Sequence, residues 1–196
     1  MQIALDHNRI RVIDQFISRE FCQELREAFE RDSARHQVRR SEWVNLTELE
    51  LTEPPRGLSP IPRAWPWRES LELLTEQFFT AADQYRDHWG QCQGVPILPR
   101  EFAMEGARIK CYRPNGVDQF RLHVDVAHKE SATRFISFLL YLNDSDAGTE
   151  FPLEELTIDA REGRLLMFPP LWTYPHIGHQ PKTGTKYILS SYLHYI

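Results

Sequence analysis

The chain has 196 residues, a length that fits one domain with a substantial core. Hydrophobic residues make up 41% and charged residues 26%, a balance that excludes an intrinsically disordered chain. A formal charge of −5 argues against a protein that lives on nucleic-acid phosphates.

No run of eighteen apolar residues occurs, and MQIALDHNRIRVID lacks the basic-then-apolar order of a signal peptide. The expectation is a soluble, cytoplasmic protein with no membrane partner. Cys22, Cys92 and Cys111 are too few and too scattered for a disulfide framework or a zinc cluster. They read as buried small apolar residues.

In chain order, Ser18 is a plausible N-cap for a helix through REFCQELREAFERDSARH, with Phe21, Cys22, Leu25, Ala28 and Phe29 at helical spacing. The basic run from Arg31 to Arg40 then reads as a solvated helix face. Residues 54–67, PPRGLSPIPRAWPW, hold five prolines and exclude helix. That stretch is either a packed surface loop or a lid carrying Trp65 and Trp67 over a site. A second helix is predicted over 68–90, with Leu71, Leu74, Phe78, Ala82 and Tyr85 on one stripe.

From residue 106 the period changes to two. DQFRLHVDV alternates, with Phe120, Leu122, Val124 and Val126 on one face and Gln119, Arg121, His123 and Asp125 on the other. FISFLLYL, residues 135–142, reads as a strand covered on both sides. Further strands are predicted at ARIKCY, GRLLMF and KYILSSYLHY, with turns at NDSDAG and KTGT. The fold class is therefore α+β, mainly β: a jelly-roll core flanked by N-terminal helices. One domain spans 1–196, with helical support and the proline-rich loop over 1–105 and the jelly roll over 106–196.

On a strand, His123 and Asp125 project to one face with their tips close enough to share an ion. An H-x-acid pair is weak alone, since His128-x-Glu130 is a second match and a polar face turned to water explains either. His176, 53 positions after His123, changes the weight. Two histidines and one carboxylate on one face of iron are the ligand set of non-haem iron oxygenases. Lys186 follows His176 by ten positions and shares a strand face with Ile188, Ser190 and Tyr192, so it would point inward. A buried lysine is costly unless an anion meets it, which suggests a carboxylate clamp.

Five segments occur in an order that resembles the iron(II)- and 2-oxoglutarate-dependent dioxygenases, in particular their prolyl 4-hydroxylase-like branch. They are CYRPNGVDQFRLHVD, RFISFLLYLND, AGTEFP, GRLLMFPP and HIGHQPKTGTK. Ala147 stands where that family usually has a first glycine. The resemblance covers roughly 106–195 and implies a double-stranded β-helix, the form of jelly roll those enzymes share. It implies that His123, Asp125 and His176 bind Fe(II), that Lys186 pairs with the far carboxylate of 2-oxoglutarate, and that Tyr112 and Tyr141 donate hydrogen bonds to it, with Ser190 a weaker donor. His179 is left as a turn residue beside the ligands.

The implied reaction uses O2 to hydroxylate an unactivated C–H bond of a small molecule, amino acid or prolyl-type peptidyl residue, releasing succinate and CO2. Asp125 supplies the carboxylate that related halogenases lack, so the chain looks like a hydroxylase. Arg121 or Arg134 could hold a substrate carboxylate, and Trp172 with Trp65 and Trp67 could form an apolar wall. A nucleic-acid demethylase on the same scaffold and a non-enzymatic jelly-roll binding module remain as alternatives. The oligomeric state is not legible.

Overall fold

The computed structural model describes residues 2–51 and 67–196. A hairpin, β1 (Gln2–His7) and β2 (Ile10–Asp14), precedes helix α1 (Arg19–Arg31), strands β3 (Gln37–Arg40) and β4 (Val44–Glu50), and helix α2 (Arg68–Trp89). Three two-residue strands follow, β5 (Gln91–Cys92), β6 (Val95–Pro96) and β7 (Ala103–Met104). The remainder is β8 (Arg108–Tyr112), β9 (Gln119–His123), β10 (Arg134–Tyr141), β11 (Ser145–Phe151), β12 (Leu156–Ala160), β13 (Leu165–Phe168), β14 (His176–Gly178) and β15 (Lys186–His194). Among the described residues, no helix is long and apolar enough to cross a membrane.

The strands join in the order β1-β2-β13-β10-β15-β8-β4-β9-β14-β11-β12, with β3 on β4 and β7 on β15. Strand β4 is the fold line of this sheet. Its residues Thr47 to Glu50 pair with β8, whereas Val44 and Asn45 pair with β9. The sheet therefore curls from a large face onto a small one, as the predicted jelly roll requires.

Period-two alternation sorts the residues of the large face into two cores. On β10, Ile136, Phe138 and Leu140 pack toward the helices, while Leu139 and Tyr141 point into the roll. On β15, Leu189 and Leu193 take the first side, and Ile188 takes the second. Helix α1 opens at Ser18, whose hydroxyl accepts from the Phe21 amide, and buries Cys22, Leu25 and Phe29. Helix α2 buries Leu74, Phe78, Ala81, Ala82 and Tyr85 on the same sheet face. Each large apolar side chain so buried contributes about 2 kcal/mol, which holds the strand face rigid beneath the interior it encloses.

The basic run departs from its predicted form. Helix α1 stops at Arg31, and Gln37–Arg40 forms the exposed strand β3 against β4. No apolar period marks β3, because all four of its residues face solvent. Cys22 and Cys111 are buried, but Cys92 is exposed on its short hairpin. The proline-rich stretch up to residue 66, including Trp65, lies outside the described residues. Trp67 is 2% exposed, donates its indole N–H to Asp32 at 3.0 Å, and packs in the helix-side core, so it forms no part of a lid.

Candidate active site

The turn Arg113 to Asp118 launches the first ligand strand. Asn115 Oδ1 accepts from the amides of Val117 and Asp118, and Asp118 Oδ2 accepts from the Arg113 amide at 3.0 Å. Gly116 takes the positive φ of 77° that this tight turn demands. Strand β9 then runs only to His123, so Asp125 sits in the bend beyond it.

The alternation predicted for β9 fails at one point. His123 pairs with His176 and Phe120 with Gly178, so three steps on β9 oppose two on β14. This bulge flips the register. Phe120 stacks on the His123 ring, with centroids 3.4 Å apart, while Leu122 is 49% exposed and Arg121 faces solvent.

The bulged pairing brings His123, Asp125 and His176 together, with one ligand atom from each lying within 4.8 Å of the others. His123 Nε2 is 3.5 Å from Asp125 Oδ1, and His176 Nε2 is 3.8 Å from Oδ2. The Nδ1 of His123 donates to the Arg121 carbonyl at 2.8 Å, and that of His176 to the Tyr174 carbonyl at 3.1 Å. Both Nε2 lone pairs are thereby left for a cation. Burial pushes His176 down to about 4 against the pull of Asp125, so its ring is neutral at neutral pH. Burial pushes the Asp125 carboxyl up, but His176 and His123 outweigh it and hold the group below the usual carboxylate range. The Asp125 Oδ1 accepts from the Tyr192 hydroxyl at 3.1 Å, whereas the buried Oδ2 has no partner. An orphaned carboxylate oxygen facing two imidazoles fits a dication.

Behind the triad, Lys186 is fully buried. Its ammonium donates to the His179 carbonyl at 2.9 Å and lies 4.9 Å from the Tyr112 ring centroid, Tyr112 being its register partner on β8. Burial pushes it down to about 7. Tyr112 lines the cleft over the triad together with Lys110, Thr149, Leu139 and Ile188. Tyr141 is buried and donates to Thr149 Oγ1 at 2.7 Å, so it reaches the cleft through that hydroxyl. Ser190 Oγ is buried without a partner. Gly148 precedes Thr149 where an added Cβ would lie 2.4 Å from the Ile158 carbonyl oxygen; Ala147 fits its own buried place.

Other expected groups stand apart from the cleft. The His179 ring pairs with Glu150 at 2.7 Å, and its carbonyl orients Lys186. Arg134 is engaged twice by Glu105, at 2.7 and 2.8 Å, and lies over the Tyr192 ring, so its charge is already met. Trp172 is 78% exposed in the loop whose Pro170 carbonyl accepts from the Val126 amide, next to Asp125. Lys110, Thr149 and Phe120 were given no role by the sequence pattern. Lys110 was nonetheless legible, since Arg108, Lys110 and Tyr112 share one face of ARIKCY while Ile109 and Cys111 take the core side.

A jelly roll enclosing two imidazoles, one carboxylate and a buried lysine belongs to the class of non-haem iron oxygenases. The chain matches the family profile of the 2OG-Fe(II) oxygenase superfamily over residues 107–194, a little under half of its length. It is thus a 2-oxoglutarate-dependent dioxygenase, whose cofactor is Fe(II) and whose cosubstrates are 2-oxoglutarate and O2. Three solved structures share its fold. The viral collagen prolyl hydroxylase of Paramecium bursaria Chlorella virus-1, solved with 2OG, has a TM-score of 0.69 at 15% identity, covering 98% of this chain and 99% of that one. A Trichoplax adhaerens prolyl hydroxylase bound to a hypoxia inducible factor peptide gives 0.68 at 14%, covering 95% and 84%. A Pseudomonas putida prolyl-4-hydroxylase gives 0.63 at 17%, covering 96% and 93%. A search for sequence relatives among curated proteins returns no match.

Proposed function

We propose that the chain folds as one domain and hydroxylates a C–H bond of a small molecule, an amino acid or a prolyl-type peptidyl residue. His123, Asp125 and His176 hold Fe(II), and Lys186 holds the far carboxylate of 2-oxoglutarate. The observation that carries this reading is the convergence of the three ligand groups within 4.8 Å, with an unpartnered Asp125 oxygen among them. Bound iron supplies the oxidising chemistry, by which O2 and 2-oxoglutarate yield the hydroxylated product, succinate and CO2.

The chain's own residues position and exclude. The carbonyls of Arg121 and Tyr174 engage both Nδ1 atoms, so each imidazole turns its Nε2 toward the metal. Tyr192 holds one Asp125 oxygen so that the other stays aimed at the metal. Lys186, fully buried beside the cleft-lining Tyr112, would meet the far carboxylate away from bulk water, where a charge-assisted contact is strong. Prolyl-type chemistry is supported by the fold shared with three prolyl hydroxylases. A cytoplasmic setting is supported by three free cysteines. Neither the demethylase nor the binding-module reading is favoured by the site or the comparisons.

Anaerobic titration with Fe(II) and then 2-oxoglutarate tests this. A weak visible charge-transfer band should appear in the wild type and demand far more 2-oxoglutarate in Lys186→Ala. No band, with iron not retained, would leave a jelly roll that only binds.

A further inference from the structure

Lys110 is a second buried lysine in the same interior, and the assignments above give it no task. It projects from β8 into the cleft over the triad and is 9% exposed. Among the described residues its ammonium makes no hydrogen bond and no ion pair; its closest aromatic neighbour is the Phe120 ring, 5.9 Å to the centroid. Burial pushes it below the usual lysine range, with Asp125 and Glu48 opposing.

Neither of those carboxylates forms an ion pair with it. Glu48 is the register partner of Lys110 across β4 and β8, but its oxygen is bound by the Arg39 guanidinium. Asp125 turns its oxygens toward the two imidazoles, where a dication would claim them. The acids one layer further along the roll are also occupied: Glu50 by Arg108, and Glu105 by Arg108, Arg134 and His194.

A charge count over the loaded site shows what is missing. A dication, the Asp125 carboxylate, the cosubstrate dianion and the Lys186 ammonium together carry no net charge. Lys110 then stands as one uncompensated buried cation, a costly arrangement unless an anion arrives. Ser190 adds a second donor, for it follows Ile188, the register partner of Lys110, on the same face of β15, and its buried hydroxyl has no partner.

We propose that Lys110 anchors a carboxylate carried by the substrate, so that the enzyme acts on a free carboxylic acid, either an amino acid or the C-terminal residue of a peptide, and not on an internal residue. This rests on the oxygenase reading above and narrows it. The 1-carboxylate of 2-oxoglutarate offers the same chemistry, and the experiment separates the two sources.

Calorimetric titrations of the Mn(II)-loaded protein compare wild type, Lys110→Met and Lys110→Arg. The ligands are 2-oxoglutarate first, then the twenty free L-amino acids and their C-amides. The expected result is 2-oxoglutarate binding within about threefold in all three proteins, and a best free acid that binds about tenfold more weakly to Lys110→Met, recovers in part with Lys110→Arg, and outperforms its amide. Ligand-free Lys110→Met should melt no lower than wild type, because it removes an unmatched buried charge.

A tenfold loss of 2-oxoglutarate affinity in Lys110→Met would hand the carboxylate to the cosubstrate and overturn the substrate class. So would a panel in which no free acid outperforms its amide, or Lys110→Met and Lys110→Gln proteins that both melt far lower, since Lys110 would then be structural. Should Lys110→Met fail to fold while Lys110→Gln folds, the same comparison is made with the glutamine variant. Absence of 2-oxoglutarate binding in the wild type is a different failure, of the oxygenase reading itself.

Discussion

The ammonium of Lys186 should make 2-oxoglutarate binding depend steeply on pH. Among the described residues its ammonium has one hydrogen-bond acceptor, the His179 carbonyl, beside the Tyr112 ring, and burial pushes it down to about 7 from the 10.5 of a free lysine. Between those values the unfolded chain holds a proton that the native chain has released. The group therefore costs stability below about pH 7, by about 5 kcal/mol, and that cost lifts as pH rises toward 10.5. A carboxylate arriving at Lys186 favours the protonated form, so binding should take up a proton above pH 7 and weaken by about tenfold per pH unit. From pH 6.5 to 8.5 the dissociation constant should rise about 25-fold in the wild type and stay flat in Lys186→Met at a uniformly weak value. The imidazoles add no slope there, because a bound cation keeps them unprotonated. Calorimetry with Mn(II) in place of iron, run in two buffers of different ionisation enthalpy, reads affinity and proton uptake together. A wild-type constant that moves less than about threefold, with no proton uptake, would refute the clamp as the binding group.

Three further outcomes follow from particular contacts. His176→Ala should abolish stoichiometric Mn(II) binding while His179→Ala retains it, since the His179 ring is committed to Glu150; equilibrium dialysis decides, and the reverse pattern would mean the ligand register is wrong. Gly148→Ala should lower stability by about 2 kcal/mol or more in urea melts, because its Cβ would press on the Ile158 carbonyl at 2.4 Å; an unchanged midpoint would show that β11 and β12 can part freely. Of the three cysteines, Cys92 alone should react with a thiol reagent in the native protein, because burial pushes Cys22 and Cys111 up to about 12; rapid labelling of two or more thiols would contradict that packing.

The parts of the fold that the sequence made legible are those where one periodicity runs unbroken. Helices α1 and α2 bury a single stripe, and β10 and β15 alternate cleanly between two cores, so their residues announce both the element and its faces. Strand β3 was hidden because all four of its residues are solvated, and charge carries no period there. Trp67 looked like a lid because prolines flank it, whereas its indole N–H finds Asp32 and its ring finds the helix-side core. The resemblance in the motif order supplied the triad and Lys186, and the structure brings the triad together.

The bulge at β9 is what pattern reading could least foresee, and the site depends on it. Strict alternation would place Phe120 and His123 on opposite faces, with the phenyl ring in the core. The extra residue opposite β14 instead puts Phe120 flat against the His123 ring, 3.4 Å between centroids, and turns Leu122 outward. Stacking from one side and the Arg121 carbonyl on Nδ1 from another leave the imidazole little rotational freedom, so Nε2 is aimed before any cation arrives. The same displacement brings the Phe120 ring under Lys110, where an aromatic face stands in for the missing counter-ion. One irregular step in one strand thus orders the His123 ring and seats the Lys110 ammonium over an aromatic face, as the proposed metal site and carboxylate anchor both require.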